Sequence, residues 1–122
     1  MVFGEYFPNP GGRPLTAEAR RALPAGAAFG LEVGGTAVLM LVVCWAGSAR
    51  NPLRSSGLVP AAVGLSLTGL ILLLGPWTMA CFNPARDFGP RVFSALAGWG
   101  TVPFTTNGHG WLTVYVVAPI VG

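Results

Sequence analysis

Between Gly57 and Phe82 the chain runs for about 26 residues without a charged side chain, and the next five residues are Asn83-Pro84-Ala85-Arg86-Asp87. No other feature constrains the fold as much as this junction. The run is long enough to cross a bilayer core, which takes roughly 20 residues of helix. It then meets the chemistry of a helix start, because Asn is a strong N-cap and Pro is favoured at the first helical position. The helix expected from Asn83 reaches to about Leu96, half a membrane crossing. Irregular backbone at membrane depth survives only where it lines a cavity or is buried in protein. Met79 to Phe82, just before the cap, are expected to be such backbone, offering carbonyl oxygens to a cavity. The positive end of the half-helix dipole would face the same cavity.

Composition agrees with lipid as the main solvent. The chain is 52% hydrophobic and 9% charged, with mean hydropathy +0.63, against about 25% charged in a soluble domain. Its 18 Gly and 11 Pro lie among long apolar runs, as in close-packed membrane helices. All seven basic residues are Arg, they are dispersed, and the net charge is +3, which excludes a nucleic-acid surface. The opening MVFGEYFPNP lacks the basic start and apolar core of a signal peptide. Cys44 and Cys81 sit in apolar surroundings and read as unpaired.

The expected organisation is an all-α membrane protein. Residues 1–21 form a loop, with Thr16 capping a short helical turn over Ala17–Leu23. Residues 22–46 are a span broken only by Glu32, 47–56 a polar link, and 57–78 a second span. The regular part of that second span should end near Gly75-Pro76, since Pro cannot continue the hydrogen-bond ladder. Residues 79–98 are a re-entrant loop with its half-helix, 99–110 a turn-rich loop, and 111–122 the start of a third span. That last run is too short to cross, so the sequence is expected to be a fragment. Arg50 and Arg54 suit a cytoplasmic link, but Arg13, Arg20 and Arg21 in the first loop argue the opposite, so charge does not fix orientation.

Arg86 costs about 2.5–3.5 kcal/mol at the centre of a membrane helix on insertion scales. It would donate to a polar solute and repel cations. Asp87 lies in the first helical turn and four residues before Arg91, the favourable order for an ion pair. Glu32, a carboxylate within a span, faces protein rather than lipid. Gly30 and Gly34 form a small-xxx-small pair and read as helix packing, as do Gly64, Gly69 and Gly75. Trp45, Trp99 and Trp111 read as interfacial, Trp77 as packed beside the loop, and His109 as a solvated loop residue. There is no metal-ligand spacing and no nucleophile–base pair, so neither an enzyme nor a cofactor is expected.

The stretch Gly75 to Gly100, GPWTMACFNPARDFGPRVFSALAGWG, resembles the second pore loop and half-helix of the aquaporin superfamily, in its glycerol-facilitator branch. FPNP near the start, AFGLEV around Glu32 and VAPIVG at the end extend the resemblance over nearly the whole chain. It implies an aquaporin-like fold, represented by the second inverted repeat only, in a multi-pass protein of the plasma or inner membrane. It makes residues 1–21 external and 47–56 cytoplasmic. The implied partners are the bilayer, small neutral solutes, a missing N-terminal half with the first Asn-Pro-Ala motif, and further copies in a homotetramer.

The resemblance also implies roles. Asn83, Pro84 and Ala85 form the pore motif, with the Asn83 amide donating to solute. Arg86 forms the selectivity filter, and in this family an Arg with half-helix dipoles excludes cations and protons. The carbonyls of Met79, Ala80 and Cys81 form a polar stripe. Glu32 braces the pore loop, with Asp87 and Arg91 as further support. Asp87 and Arg91 match the pair typical of glycerol channels. Ile71, Ala80 and Tyr115 depart from that branch and resemble plant nodulin-type channels that pass metalloid acids. The implied function is passive passage of water, glycerol, related polyols, urea and metalloid acids. The alternatives are a non-transporting membrane assembly protein and a non-functional half-channel.

Overall fold

The computed structural model describes residues 4–11, 13, 16–52 and 54–122. Residues 1–3, 12, 14, 15 and 53 lie outside the described residues. Among the described residues the chain is helix and turn, with no strand.

Thr16 caps α1 (Ala17–Ala22) by accepting from the Ala19 amide at 3.1 Å. The chain leaves the helical region at Leu23, φ −131°, because a residue before proline is pushed out of it. Pro24 is then the N-cap of α2 (Ala25–Gly47). A short turn-rich link leads to α3 (Val59–Thr78). Both α2 and α3 are long and apolar enough to cross a membrane. The half-helix α4 (Pro84–Ser94) follows, and its last turn widens over Ala95–Trp99 and breaks at Gly98, φ +109°. After α5 (Val102–Thr105), a rod of α6 (Gly110–Leu112), a π-helical stretch (Thr113–Val117) and α7 (Ala118–Val121) returns along α2.

The regular α3 does not stop at Pro76, contrary to the expectation. It continues to Thr78. Proline removes one donor from the ladder, but the ladder resumes behind it, with the Met79 N–H donating to the Gly75 carbonyl at 3.0 Å, and the last carbonyls also find partners from outside the helix. The Asn9 side-chain amide donates to the Gly75 carbonyl at 2.7 Å and the Asn9 N–H to the Trp77 carbonyl at 2.8 Å. An N-terminal turn thus finishes the helix from above.

The glycines also divide differently. Apart from its own helix backbone, a Cβ at Gly30, Gly34, Gly64 or Gly69 would meet no atom of the described residues within 4 Å. The close approach is at Gly35, where a Cβ would collide with the Phe82 ring and stand 3.0 Å from Leu74 Cδ1. Gly35 is what lets the re-entrant loop lie against α2.

The core sits beside that loop, not between the two long helices. Phe7, Leu23, Ala28, Cys81, Val114 and Tyr115 form it. By contrast Leu41, Leu65, Leu72 and Leu73 on α2 and α3 are each at least 70% exposed. Large apolar side chains exposed in such numbers call for lipid or more protein around them.

Candidate functional site

The site begins with backbone strain. Met79, Ala80 and Phe82 have φ of +67°, +50° and +52°. Non-glycine residues in this region cost about 1–3 kcal/mol each and persist only when their surroundings hold them. The holder is Glu32, wholly buried on α2. Its Oε1 accepts from the Cys81 amide at 3.0 Å and its Oε2 from the Phe82 amide at 2.8 Å. The buried Thr78 lies beside the same carboxylate. One side chain therefore satisfies the backbone donors that an irregular loop would leave bare.

Beyond the loop, Asn83 caps α4. Its Oδ1 accepts from the amides of Ala85 at 2.9 Å and Arg86 at 3.4 Å. With the oxygen committed to the helix, the exposed Asn83 presents its amide N–H₂ outward. Pro84 takes the first helical position, where its missing donor is no loss. Arg86 turns back over the loop, and its Nη2 donates to the Met79 carbonyl at 3.2 Å. The same nitrogen meets Glu5 Oε1 at 2.5 Å. The Arg86 side chain is 43% exposed, and its remaining donors have no partner among the described residues.

Asp87 and Arg91 point the other way. Both are buried, and Arg91 Nε donates to Asp87 Oδ2 at 2.7 Å. Asp87 Oδ1 accepts from the Glu5 amide at 2.7 Å. Arg91 also donates through Nη1 to the Pro103 carbonyl and through Nη2 to the Glu5 carbonyl. The guanidinium lies 5.0 Å from the Tyr6 ring centroid and 5.8 Å from that of Tyr115. A planar fork with several fixed acceptors is a task for Arg rather than Lys. This pair joins the N-terminal turn, α4 and the segment after it.

The structure thus brings together Glu32, Met79, Cys81, Asn83 and Arg86 around one loop, with Asp87 and Arg91 on its buried flank. Ala80 and Cys81 are buried, and the Cys81 thiol donates to the Asn83 carbonyl at 3.2 Å. Ile71 lies 39% exposed on α3. Tyr115 is fully buried and donates its hydroxyl to the Thr78 carbonyl at 3.0 Å. Two residues carried no signal in the sequence, Glu5 and Gly35. Glu5 acts from 81 positions away, a distance no local pattern reports. Both cysteines are free.

A loop that folds back at the end of an apolar helix and starts a second, shorter helix is the construction of a re-entrant membrane segment. The class is therefore that of all-α membrane proteins with a re-entrant half-helix. The family model for the major intrinsic protein matches residues 9–122, and the chain belongs to that family. It is 44% identical over 98 residues to Aquaporin-2 of Rhizopus delemar, covering 80% of this chain and 30% of that protein. It is 40% identical over 102 residues to the glycerol uptake facilitator protein of Pseudomonas aeruginosa, covering 83% of this chain and 37% of that one. Aquaporin-7-2 of Laccaria bicolor is 40% identical over 94 residues, with 77% and 28% covered. The chain spans about a third of the length of these relatives.

Proposed function

We propose that this chain supplies the second half of a passive membrane channel for water and small uncharged solutes, glycerol and related polyols foremost, with urea and metalloid acids in the same class. The observation that carries the reading is the half-helix start. Asn83 gives its oxygen to the helix and its N–H₂ donors outward, beside the partly exposed donors of Arg86. A neutral solute with hydroxyl groups finds donors there in place of its water. A cation meets a guanidinium and the positive end of a helix dipole. No group transfer is needed, and the protein is not an enzyme in this reading.

The remainder of the pore would come from a first repeat with its own Asn-Pro-Ala half-helix, related to this one by inverted topology. The exposed leucines of α2 and α3 would face that repeat, lipid, and the neighbours of a homotetramer. Residues 1–21 and 99–110 then lie outside the cell, and 47–56, with Arg50 and Arg54, on the cytoplasmic side of the plasma or inner membrane.

The test is light scattering from liposomes that carry the full-length protein. Water and glycerol fluxes well above those of empty liposomes, with no ion conductance, are expected. Water flux without glycerol, urea or boric acid flux would remove the solute assignment. Absence of all flux would favour a membrane protein of assembly rather than transport.

A further inference from the structure

Arg86 is not alone at its position. The Glu5 side chain that meets it is only 11% exposed, while Arg86 is 43% exposed. The acid is therefore the fixed end of the pair and the base the free end. Glu5 is fixed by its own backbone, whose N–H donates to Asp87 and whose carbonyl accepts from Arg91. The next amide, of Tyr6, is directed at Met79 Sδ at 3.2 Å. The second carboxylate oxygen, Oε2, is buried without a hydrogen-bond partner among the described residues. A buried acceptor left unpaired is costly, so this placement needs a return, and the Arg86 contact supplies it.

We propose that Glu5 is the positioning residue of the filter, holding Arg86 against the Met79 carbonyl so that the lumen stays open to solutes larger than water. The proposal rests on the channel reading above. Among the described residues Arg86 is held through Nη2 alone, by Glu5 and Met79. Without the carboxylate, the long side chain samples more rotamers, including those that project into the lumen. A freed guanidinium obstructs a three-carbon polyol far more than it obstructs water. The charged groups around Glu5 are Arg86, Asp87 and Arg91 on α4 and Glu32 on α2. Burial raises the Glu5 carboxyl above its ordinary 4.5. Arg86 and Arg91 oppose that shift, and Asp87 and Glu32 add to it. As pH falls, Glu5 takes up its proton earlier than an ordinary glutamate and releases Arg86.

The experiment measures the glycerol-to-water permeability ratio of the full-length protein in liposomes, from neutral pH down to about pH 4.5. The unaltered ratio should fall as the medium is acidified. Glu5→Gln keeps both backbone contacts, so its ratio should already be low at neutral pH, by roughly five- to tenfold, and flat with pH. In an Arg86→Val background, Glu5→Gln should change nothing further, since its effect runs through Arg86. Equal ratios and pH profiles for the unaltered and Glu5→Gln proteins would overturn the proposal. So would an undiminished Glu5→Gln effect without Arg86, which would mark a general folding role. If the unaltered protein passes neither solute, the channel reading itself fails, a result distinct from either of these.

Discussion

Removing the Glu32 carboxylate should undo the re-entrant loop. In Glu32→Ala the amides of Cys81 and Phe82 lose their acceptor in a site closed to water. Each buried donor left unsatisfied costs about 1–3 kcal/mol, so the pair costs roughly 2–6 kcal/mol. The same carboxylate holds Met79, Ala80 and Phe82 at positive φ, at about 1–3 kcal/mol of strain each. The loop therefore has every incentive to relax once released, and relaxation moves the Met79 carbonyl and the Asn83 cap together. Glu32→Gln is close in shape but turns one acceptor into a donor. It should lose one of the two amide bonds, about 1.5–3 kcal/mol. The full-length protein in liposomes reports flux, and in detergent it reports thermal stability. The expected order is unaltered protein, then Gln, then Ala, in both measurements. A Glu32→Ala protein with unchanged flux and unchanged Tm would refute the bracing argument.

Other substitutions separate the parts of the site. Gly35→Ala places a Cβ 2.1 Å from the edge of the Phe82 ring, and should cost about 1–3 kcal/mol by overpacking, read as a lowered Tm. Arg91→Lys keeps the charge but gathers its donors on one nitrogen, which cannot reach Asp87, Pro103 and Glu5 as Nε, Nη1 and Nη2 do; thermal denaturation should show a loss of at least about 1.5 kcal/mol. Asn83→Ala removes the cap and should cost about 0.5–2 kcal/mol. Asn83→Asp keeps the cap, so it should hold the Tm while lowering neutral-solute flux, because the outward N–H₂ donors become acceptors. Equal flux in Asn83→Asp and the unaltered protein would remove Asn83 from solute contact.

Much of this was legible locally. The cap at Asn83, the proline behind it and the spacing of Asp87 and Arg91 each belong to one or two turns of backbone, where short-range chemistry decides. The start of α2 was displaced by a single local effect, proline acting on the residue before it. What stayed hidden depended on distance. A small-xxx-small pair says that a helix can be approached closely, but not from which side. Phe82 arrives at Gly35, and Gly30 and Gly34 keep open faces within this chain. Proline at position 76 read as a helix stop, but the ladder resumes beyond it with the Met79 N–H on the Gly75 carbonyl, and Asn9, far upstream, caps the carbonyls of Gly75 and Trp77. Glu5 sits in a turn with no pattern at all, and its meaning comes only from Arg86, Asp87 and Arg91 converging on it.

The Arg91 junction has a consequence for the order in which the molecule is made. Asp87 neutralises Arg91 within one helical turn, so that pair can leave the ribosome already balanced, with Arg86 left to Glu5. Glu5 precedes Arg91 by 86 positions and is waiting when it emerges, but Pro103 follows by 12. The guanidinium completes its set only when that later carbonyl arrives. Synthesis interrupted between the two would yield both long helices and the whole Asn-Pro-Ala segment, with the clasp over them still open.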